Sequence, residues 1–317
     1  MADLTNQIFK DEDKARAYLE AQRWPNGPVC PRCGSVDEAI TKMEGKAHRP
    51  GLYNCNGCRQ QFSVTVGTVY ERSHIPLHKW LLATHLMASS KKGISAHQLH
   101  RMLGITYKSA WFMAHRIREA MAADTSEPMG GKGKVVEADE TYLGNLPPEK
   151  APIRKTPGRP KFGPHHKRAI VTLVERGGKS RSFYAEKATV DKVAKIIREN
   201  VDKESRLHTD ESSVYWKIGN ELVRHEAVNH GQKEFVRGDV TTNTIEGFFS
   251  IFKRGMKGVY QHCDERHLHR YLAEFDFRYG NRVSLGCSDR ERADKALKGI
   301  EGKRLTYRRI NEENRIA

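Results

Sequence analysis

Four of the six cysteines fall into two C-x-x-C pairs, Cys30-Pro31-Arg32-Cys33 and Cys55-Asn56-Gly57-Cys58, with residues 34–54 between them. Each such turn aims two thiolates at one point. Two turns facing each other make a tetrahedral cage of four sulfurs, the coordination of a structural Zn2+. Four protein ligands close the site, so the chemistry implied is folding rather than catalysis. Gly34 and Gly57 suit the tight knuckles that these turns require. Cys263 and Cys287 stand alone and read as free thiols; His48, between the pairs, reads as a surface histidine.

A second kind of chemistry is open to Asp139 in EADETYLG and Asp210 in LHTDES. Two carboxylates held a few ångströms apart repel each other unless they share a proton or flank a divalent cation, which prefers hard oxygen ligands. Singly, each is weak evidence, because Asp ends strands and opens turns routinely. Glu246 is more unusual. It is the sole acid between Asp239 and Asp264, in a segment that is otherwise apolar or basic. It reads either as a surface charge balancing Lys253 or as a ligand held for chemistry.

The elements that must carry these groups follow from periodicity. QFSVTVGTVY, after the second cysteine pair, alternates and is rich in β-branched residues, predicting a strand of a zinc ribbon. After Pro76 the pattern turns helical. Ser95 is placed to cap a helix bearing Leu99 and Leu103, Gly104-Ile105-Thr106 makes a short turn, and a second helix carries Ala110, Trp111, Ala114 and Ile117. That spacing is either a helix-turn-helix, offering Tyr107, Lys108 and Ser109 to base edges, or a helical hairpin with Trp111 and Phe112 as core. Arg116 and Arg118 read as phosphate contacts or as solvated charges.

From Lys134 the period becomes that of strands. In KVVEADETYLG, Val136, Ala138 and Glu140 share one face, with Val135, Glu137 and Asp139 on the other. A hairpin around Gly177-Gly178, an amphipathic helix with Val190, Val193, Ile196 and Ile197 inward, and a short strand ending at Asp210 come next. Three strands, a helix and a strand is how a ribonuclease-H-like α/β core begins, with its fourth strand parallel beside the first. That order would bring Asp139 and Asp210 together. In the Glu246 segment, Ile245, Phe248, Phe249, Phe252 and Met256 recur at helical spacing and define one buried stripe, with Glu246 on its flank.

Composition limits the partners. The 317 residues hold 55 Lys plus Arg against 39 Asp plus Glu, a net charge of +16, which favours a polyanion through steering and counterion release. No apolar run approaches a membrane span and the N-terminus is no secretory signal, so the expected location is cytoplasmic.

In order along the chain, RWPNGPVCPRCGS, CNGCRQQFSVTVGTVYERSHIPLHKW, GISAHQLHRMLGITYKSAWFMAHRIREAM, EADETYLG, LHTDES, NTIEGFFSIFKRGMKGVY and HLHRYLAEFDFRYGNR resemble blocks of the bacterial insertion-sequence DDE transposases that carry an N-terminal zinc ribbon. They run from about Trp24 to Arg282. The resemblance implies a ribonuclease-H-like catalytic domain whose acids are Asp139, Asp210 and Glu246, binding two Mg2+ (or Mn2+) ions. It implies nicking at the ends of an insertion element, then attack of the freed 3′-hydroxyl on target DNA. Double-stranded DNA (terminal inverted repeats and target), a homodimer or larger synaptic assembly, and association with the nucleoid are implied in the same way. Phe249 stands where such proteins often have Trp, an apolar-for-apolar change.

On this basis the expected organisation is an N-terminal helical segment (1–25), a zinc ribbon (26–72), a helix-turn-helix segment (73–125), a ribonuclease-H-like domain (126–282) and a basic C-terminal tail (283–317), in which Arg290 to Arg309 read as helical and solvated. A Pro/Gly-rich basic loop, 150–168, contains Gly158-Arg159-Pro160, which is similar to the centre of an AT-hook; the loop reads either as a grip on DNA or as solvated chain. Lys253 lies seven positions after Glu246 on the same helical side, either near phosphate or paired with the glutamate, with Lys257 one turn on. His208 and His230 read as structural histidines or as aids to proton movement near the acids. Two other functions remain open at this level: a non-catalytic DNA-binding regulator, and a ribonuclease-H-like nuclease that cuts without joining.

Overall fold

The computed structural model describes residues 4–123, 126–146, 167–218, 221–222 and 224–306. The Arg159 tripeptide and most of the basic loop (147–166) lie outside the described residues. The chain divides into two compact units, one reaching Ala122 and completed by the chain from Cys287 onward, the other spanning Ala123–Gly286.

The first unit opens with α1 (Glu12–Arg23), capped by Asp11, whose carboxylate accepts the Asp13 and Lys14 amides at 2.9 Å. A three-stranded antiparallel ribbon comes next: β1 (Ile40–Met43), β2 (Leu52–Cys55) and β3 (Gln60–Phe62), in that order. Trp24 stands edge-on to Tyr53 and Phe62, at 5.5 and 5.8 Å between ring centroids, and closes the ribbon's small core. The strand expected to continue from QFSVTVGTVY stops at Phe62. Beyond it, Val66 and Thr68 amides bond back to Ser63 and Thr65 carbonyls, and the Thr68 hydroxyl bonds the Thr65 carbonyl at 2.7 Å. Gly67, at φ +73°, completes the turn. Ser and Thr side chains offered the backbone local partners that won over a ladder.

Three helices follow, α2 (Leu77–Ser89), α3 (Ala96–Leu103) and α4 (Tyr107–Met121). Ser95 caps α3 through the Gln98 amide at 3.1 Å, Gly104 ends it at φ +59°, and Thr106 caps α4 through the Ser109 amide at 3.2 Å. Ser95 caps as its place in the sequence suggests, and Thr106, read there only as part of the turn, proves to cap the second helix. Leu99 and Leu103 of α3 and Ala110, Met113, Ala114 and Ile117 of α4 are all buried, and the two helices pack on each other.

The second unit is a mixed five-stranded sheet. Its strands are β4 (Val135–Asn145), β5 (Lys167–Glu175), β6 (Ser180–Ala185), then α5 (Val190–Asn200), β7 (Arg206–Thr209) and β8 (Arg224–Ala227), ordered β6-β5-β4-β7-β8. β4, β5 and β6 pair antiparallel, while β7 runs parallel to both β4 and β8. A short hairpin, β9 (Val236–Arg237) with β10 (Val240–Thr241), leads into α6 (Asn243–Gly255), a π-helical turn (Met256–Tyr260) and α7 (Glu265–Gly280). Helices cover both faces. Val193, Ala194 and Ile197 of α5 pack on Val136, Ala138, Val171 and Leu207. On the opposite face, Ile170 and Val174 meet Ile245, Phe248, Phe249 and Phe252 of α6 and Leu268, Leu272 and Phe275 of α7. This is the mixed α/β, ribonuclease-H-like architecture expected from the strand order.

The segment read as a solvated tail contains α8 (Asp289–Lys298), which buries Arg292, Ala293, Ala296 and Leu297 within the first unit. A capping box of Ser288 and Glu291 starts it. Its apolar stripe is short and diluted by charges, which is why the sequence reads as polar throughout.

Candidate active site and metal centres

The four clustered thiols converge as their spacing predicts. Cys30 Sγ lies 3.7 Å from Cys58 Sγ, Cys33 Sγ lies 3.5 Å from Cys55 Sγ, and all four sulfurs are within 4.8 Å of one another. A tetrahedron with metal–sulfur bonds of about 2.3 Å has edges of about 3.8 Å, so the donors fit zinc without rearrangement. The first knuckle is closed by the Gly34 amide on the Cys30 carbonyl at 3.0 Å, with Gly34 at φ +76°. The second needs Gly57 for space, since a Cβ there would sit 2.8 Å from Ser35 Oγ. The hydroxyl and amide of Ser35 hold the Cys33 thiol down to about 6, favouring the thiolate that a metal requires.

The acidic site assembles from distant parts of the chain. β4 pairs with β7 in parallel with Glu137 opposite His208, and the same 71-residue offset carries on to Asp139 and Asp210, just past the end of the ladder. Burial, then the charges of Asp210, Glu140 and Glu246, push the Asp139 carboxyl up to about 8. Burial raises Asp210 and Glu140 as well. The Asp210 carboxylate accepts the Ser212 amide at 3.0 Å, which fixes it in the turn leaving β7. Glu246 sits in the first turn of α6, half exposed. Its Oε1 accepts the Thr242 hydroxyl at 3.1 Å and lies 3.9 Å from His230 Nε2. Among the described residues, only the four thiols meet the criterion that three or more donors all lie within 4.8 Å of one another; the three carboxylates are set wider. Buried carboxylates raising one another form a donor set short of positive charge, and hard oxygen donors of this kind suit Mg2+ or Mn2+.

Two further acids at this site were not singled out in the sequence. Glu140 accepts the Tyr215 hydroxyl at 2.7 Å and the Ser212 hydroxyl at 3.4 Å, tying the turn after Asp210 back to β4. Glu137 is wholly buried and accepts the Arg176 Nε at 2.7 Å, the Thr244 hydroxyl at 2.8 Å and the Ile245 amide at 2.9 Å. The available signal was an acid, Glu137, alternating onto the Asp139 face of a strand with helices on both sides.

The remaining predicted residues divide. Tyr107 is exposed and stacks on His97, 4.2 Å between ring centroids; Lys108 is exposed and Ser109 half-buried at the start of α4. Arg116 is a correction. It is buried, donates to the Glu71 carbonyl at 2.6 Å and lies over the rings of Trp80 and Phe112, so it is part of the helical core rather than a phosphate contact. Arg118 is buried too. Position on a helix face decided this, since Arg116 falls between Met113 and Ile117 on the inward side. Lys253 and Lys257 are exposed, and the Lys253 ammonium lies 5.9 Å from the Phe249 ring centroid rather than on Glu246. His208 is buried beside Arg176, and burial and that charge lower the imidazole's pKa, whereas His230 lies beside Glu246.

Residues 130–280 match the ISXO2-like transposase domain, and residues 10–61 match the transposase zinc-ribbon domain. An uncharacterized protein in transposable element ISH50 of Halobacterium salinarum is 27% identical over 281 residues, covering 86% of this chain and 92% of that relative. Among the described residues no helix is long and apolar enough to cross a membrane. With a four-thiol ribbon and a ribonuclease-H-like sheet, each within a matched stretch, the chain belongs to the insertion-sequence transposases that join a zinc ribbon to an ISXO2-like transposase domain.

Proposed function

We propose that the protein cuts DNA at the ends of an insertion element and joins the freed ends to target DNA, with Asp139, Asp210 and Glu246 as its catalytic acids. What supports this reading is the parallel β4–β7 register, paired through Glu137 and His208, whose 71-residue offset runs on two residues to Asp139 and Asp210, with Glu246 close enough to raise Asp139. Asp139, Asp210 and Glu246 would hold two Mg2+ (or Mn2+) ions, which when bound would supply activation of the attacking oxygen and neutralisation of the leaving one. In the first step a water oxygen bonds to phosphorus and the bond from phosphorus to the element's 3′-oxygen breaks. In the second, that 3′-oxygen bonds to a target phosphorus and displaces the target's own 3′-oxygen. The acids orient the reacting groups. Lys253, exposed on the helix that carries Glu246, and Lys257, exposed on the π-helical turn after it, offer charge to the DNA backbone.

Tyr107, Lys108 and Ser109, at the N-terminus of α4, are the candidates for base edges of the terminal repeats, with the helix, short glycine turn and helix of α3 and α4 supporting a helix-turn-helix reading. The ribbon is proposed to hold one structural Zn2+, and assembly on two element ends implies a dimer or larger complex. The test is strand cleavage and transfer with purified protein, Mg2+, terminal-repeat DNA and a target duplex. Joined products are expected from the wild type, and none from Asp139→Ala, Asp210→Ala or Glu246→Ala. Full activity in any of these variants overturns the site. Cleavage without joining indicates a nuclease, and metal-independent binding without cleavage a regulator.

A further inference from the structure

We infer that Glu137 is a positioning residue for Glu246, a buried carboxylate clamp that docks the start of α6 onto the strand carrying Asp139. This rests on the reading of Asp139, Asp210 and Glu246 as metal-binding acids.

The first amides of a helix have no partner within it and need one from outside. At α6 the usual supplier is diverted. The N-cap residue Thr242 makes no side-chain capping bond, and its hydroxyl donates to Glu246 Oε1 instead. Glu137 takes over the capping from a different element: its Oε2 accepts the Ile245 amide at 2.9 Å, and its Oε1 accepts the Thr244 hydroxyl at 2.8 Å. Ile245 is the residue immediately before Glu246. Glu137 is two residues before Asp139 on β4, on the same face of the strand. One stretch of β4 therefore carries the first acid of the site and the anchor of the third.

The clamp extends through Arg176. Its Nε donates to Glu137 Oε1 at 2.7 Å, its Nη1 to the Asp239 carbonyl at 2.7 Å and its Nη2 to the Thr241 carbonyl at 2.9 Å. The same Nη2 lies 3.1 Å from Nδ1 of the buried His208 on β7. One guanidinium thus grips the β9–β10 hairpin leading into α6 while it neutralises the carboxylate that caps the helix. A buried charge survives only when paired and fully bonded, and here the bonds that satisfy Glu137 are the ones that locate Glu246. Glu137→Gln keeps the shape but sets an NH2 group, a donor, against a site built from three donors.

The experiment measures Mn2+ binding to the full-length protein by the electron paramagnetic resonance signal of free Mn2+. It compares wild type, Glu137→Gln, Glu246→Ala and the double variant, with hydrogen exchange across 243–247 followed in parallel. Each single change is expected to weaken Mn2+ binding about tenfold to a hundredfold, the usual range for a group that orients a ligand. The double variant is expected to bind no more weakly than Glu246→Ala alone, and Glu137→Gln to speed exchange at the Ile245 amide. A residue that merely supports the fold would multiply its loss onto that of Glu246→Ala, and that outcome overturns the clamp. Wild-type binding by Glu137→Gln, with Glu246→Ala weakened, overturns it equally. If Glu246→Ala itself binds like wild type, the metal-site reading falls and takes the clamp with it. Should Glu137→Gln fail to fold, Thr244→Val removes one bond and leaves the Arg176 pair intact, and the same pattern is expected in smaller measure.

Discussion

The four-thiol cluster and the proposed acidic site of this protein are built on opposite plans. The four thiols come from two short turns, and each turn is complete within a few residues: Cys30 with Cys33 around Gly34, Cys55 with Cys58 around Gly57. Their sulfurs converge to within 4.8 Å and offer a metal a closed cage. The three acids come from the middle of β4, the turn just after β7 and the first turn of α6, and they stay wider apart, with Glu246 half exposed. A closed sulfur cage saturates its ion and stabilises a fold. An open set of oxygens leaves room for substrate but cannot hold itself together, so other residues must do so. Glu137, Arg176, Tyr215 and Glu140 are those residues here. The general point is that a structural metal site carries its own scaffold in its local sequence, while a reactive one borrows it from the tertiary fold.

The largest test of that contrast removes an acid. Asp139→Ala or Asp210→Ala is expected to lower DNA strand cleavage on the order of 10³-fold or more, as loss of a group acting within a catalytic unit does. Zinc content by elemental analysis should stay at one ion per chain, and a fall in zinc would show that the two sites are not independent. Next, Cys55→Ser should remove the zinc, whose binding free energy in such sites is on the order of 10 kcal/mol. Near-ultraviolet dichroism from the Trp24, Tyr53 and Phe62 cluster should collapse, with Mn2+ binding at the acids unchanged.

A smaller effect concerns protons. Without metal, Asp139 is held protonated up to about 8, whereas the same group in the unfolded chain ionises near 3.8. Between these values the native state binds the extra proton, so its stability falls as pH rises through that window and levels off above it. Denaturant melts of metal-free wild type and Asp139→Asn should differ by that slope, with the variant flatter; equal slopes would remove the crowded-carboxylate account. The smallest effects lie in the helical segment. Arg116→Ala should cost about 1–3 kcal/mol by chemical denaturation, because it orphans the Glu71 carbonyl and two ring faces. Lys108→Ala should leave stability alone and reduce the salt dependence of DNA binding by about one charge.

Much of this was legible because it is local. The cysteine spacing, the cap Ser95, the short turn Gly104-Ile105-Thr106 and the apolar stripe of α6 all depend on a handful of neighbouring residues. Alternation in β4 correctly separated Val136 and Ala138 from Glu137 and Asp139, because a strand has only two faces. Misreadings came where composition hides geometry. QFSVTVGTVY has the composition of a strand, yet its Ser and Thr hydroxyls and Gly67 fold it into turns. Arg116 and the α8 stripe were read from charge, although their helix faces point inward.

By itself, then, the sequence determined which residue types were available and the short-range geometry that fixes them: a four-sulfur knuckle pair, a capped helical turn, and acids on separate strands and a helix. The strand order already pointed to Asp139 and Asp210 as neighbours; the tertiary structure set the β4–β7 register that leads to them, and it alone turned the hydroxyl of Thr242 to Glu246. It alone showed Glu137 reaching across to cap α6. Turns and caps close over a few residues, so their partners are written next to them. A site joined across 107 positions, from Asp139 to Glu246, exists only once sheet register and helix docking have brought its parts together.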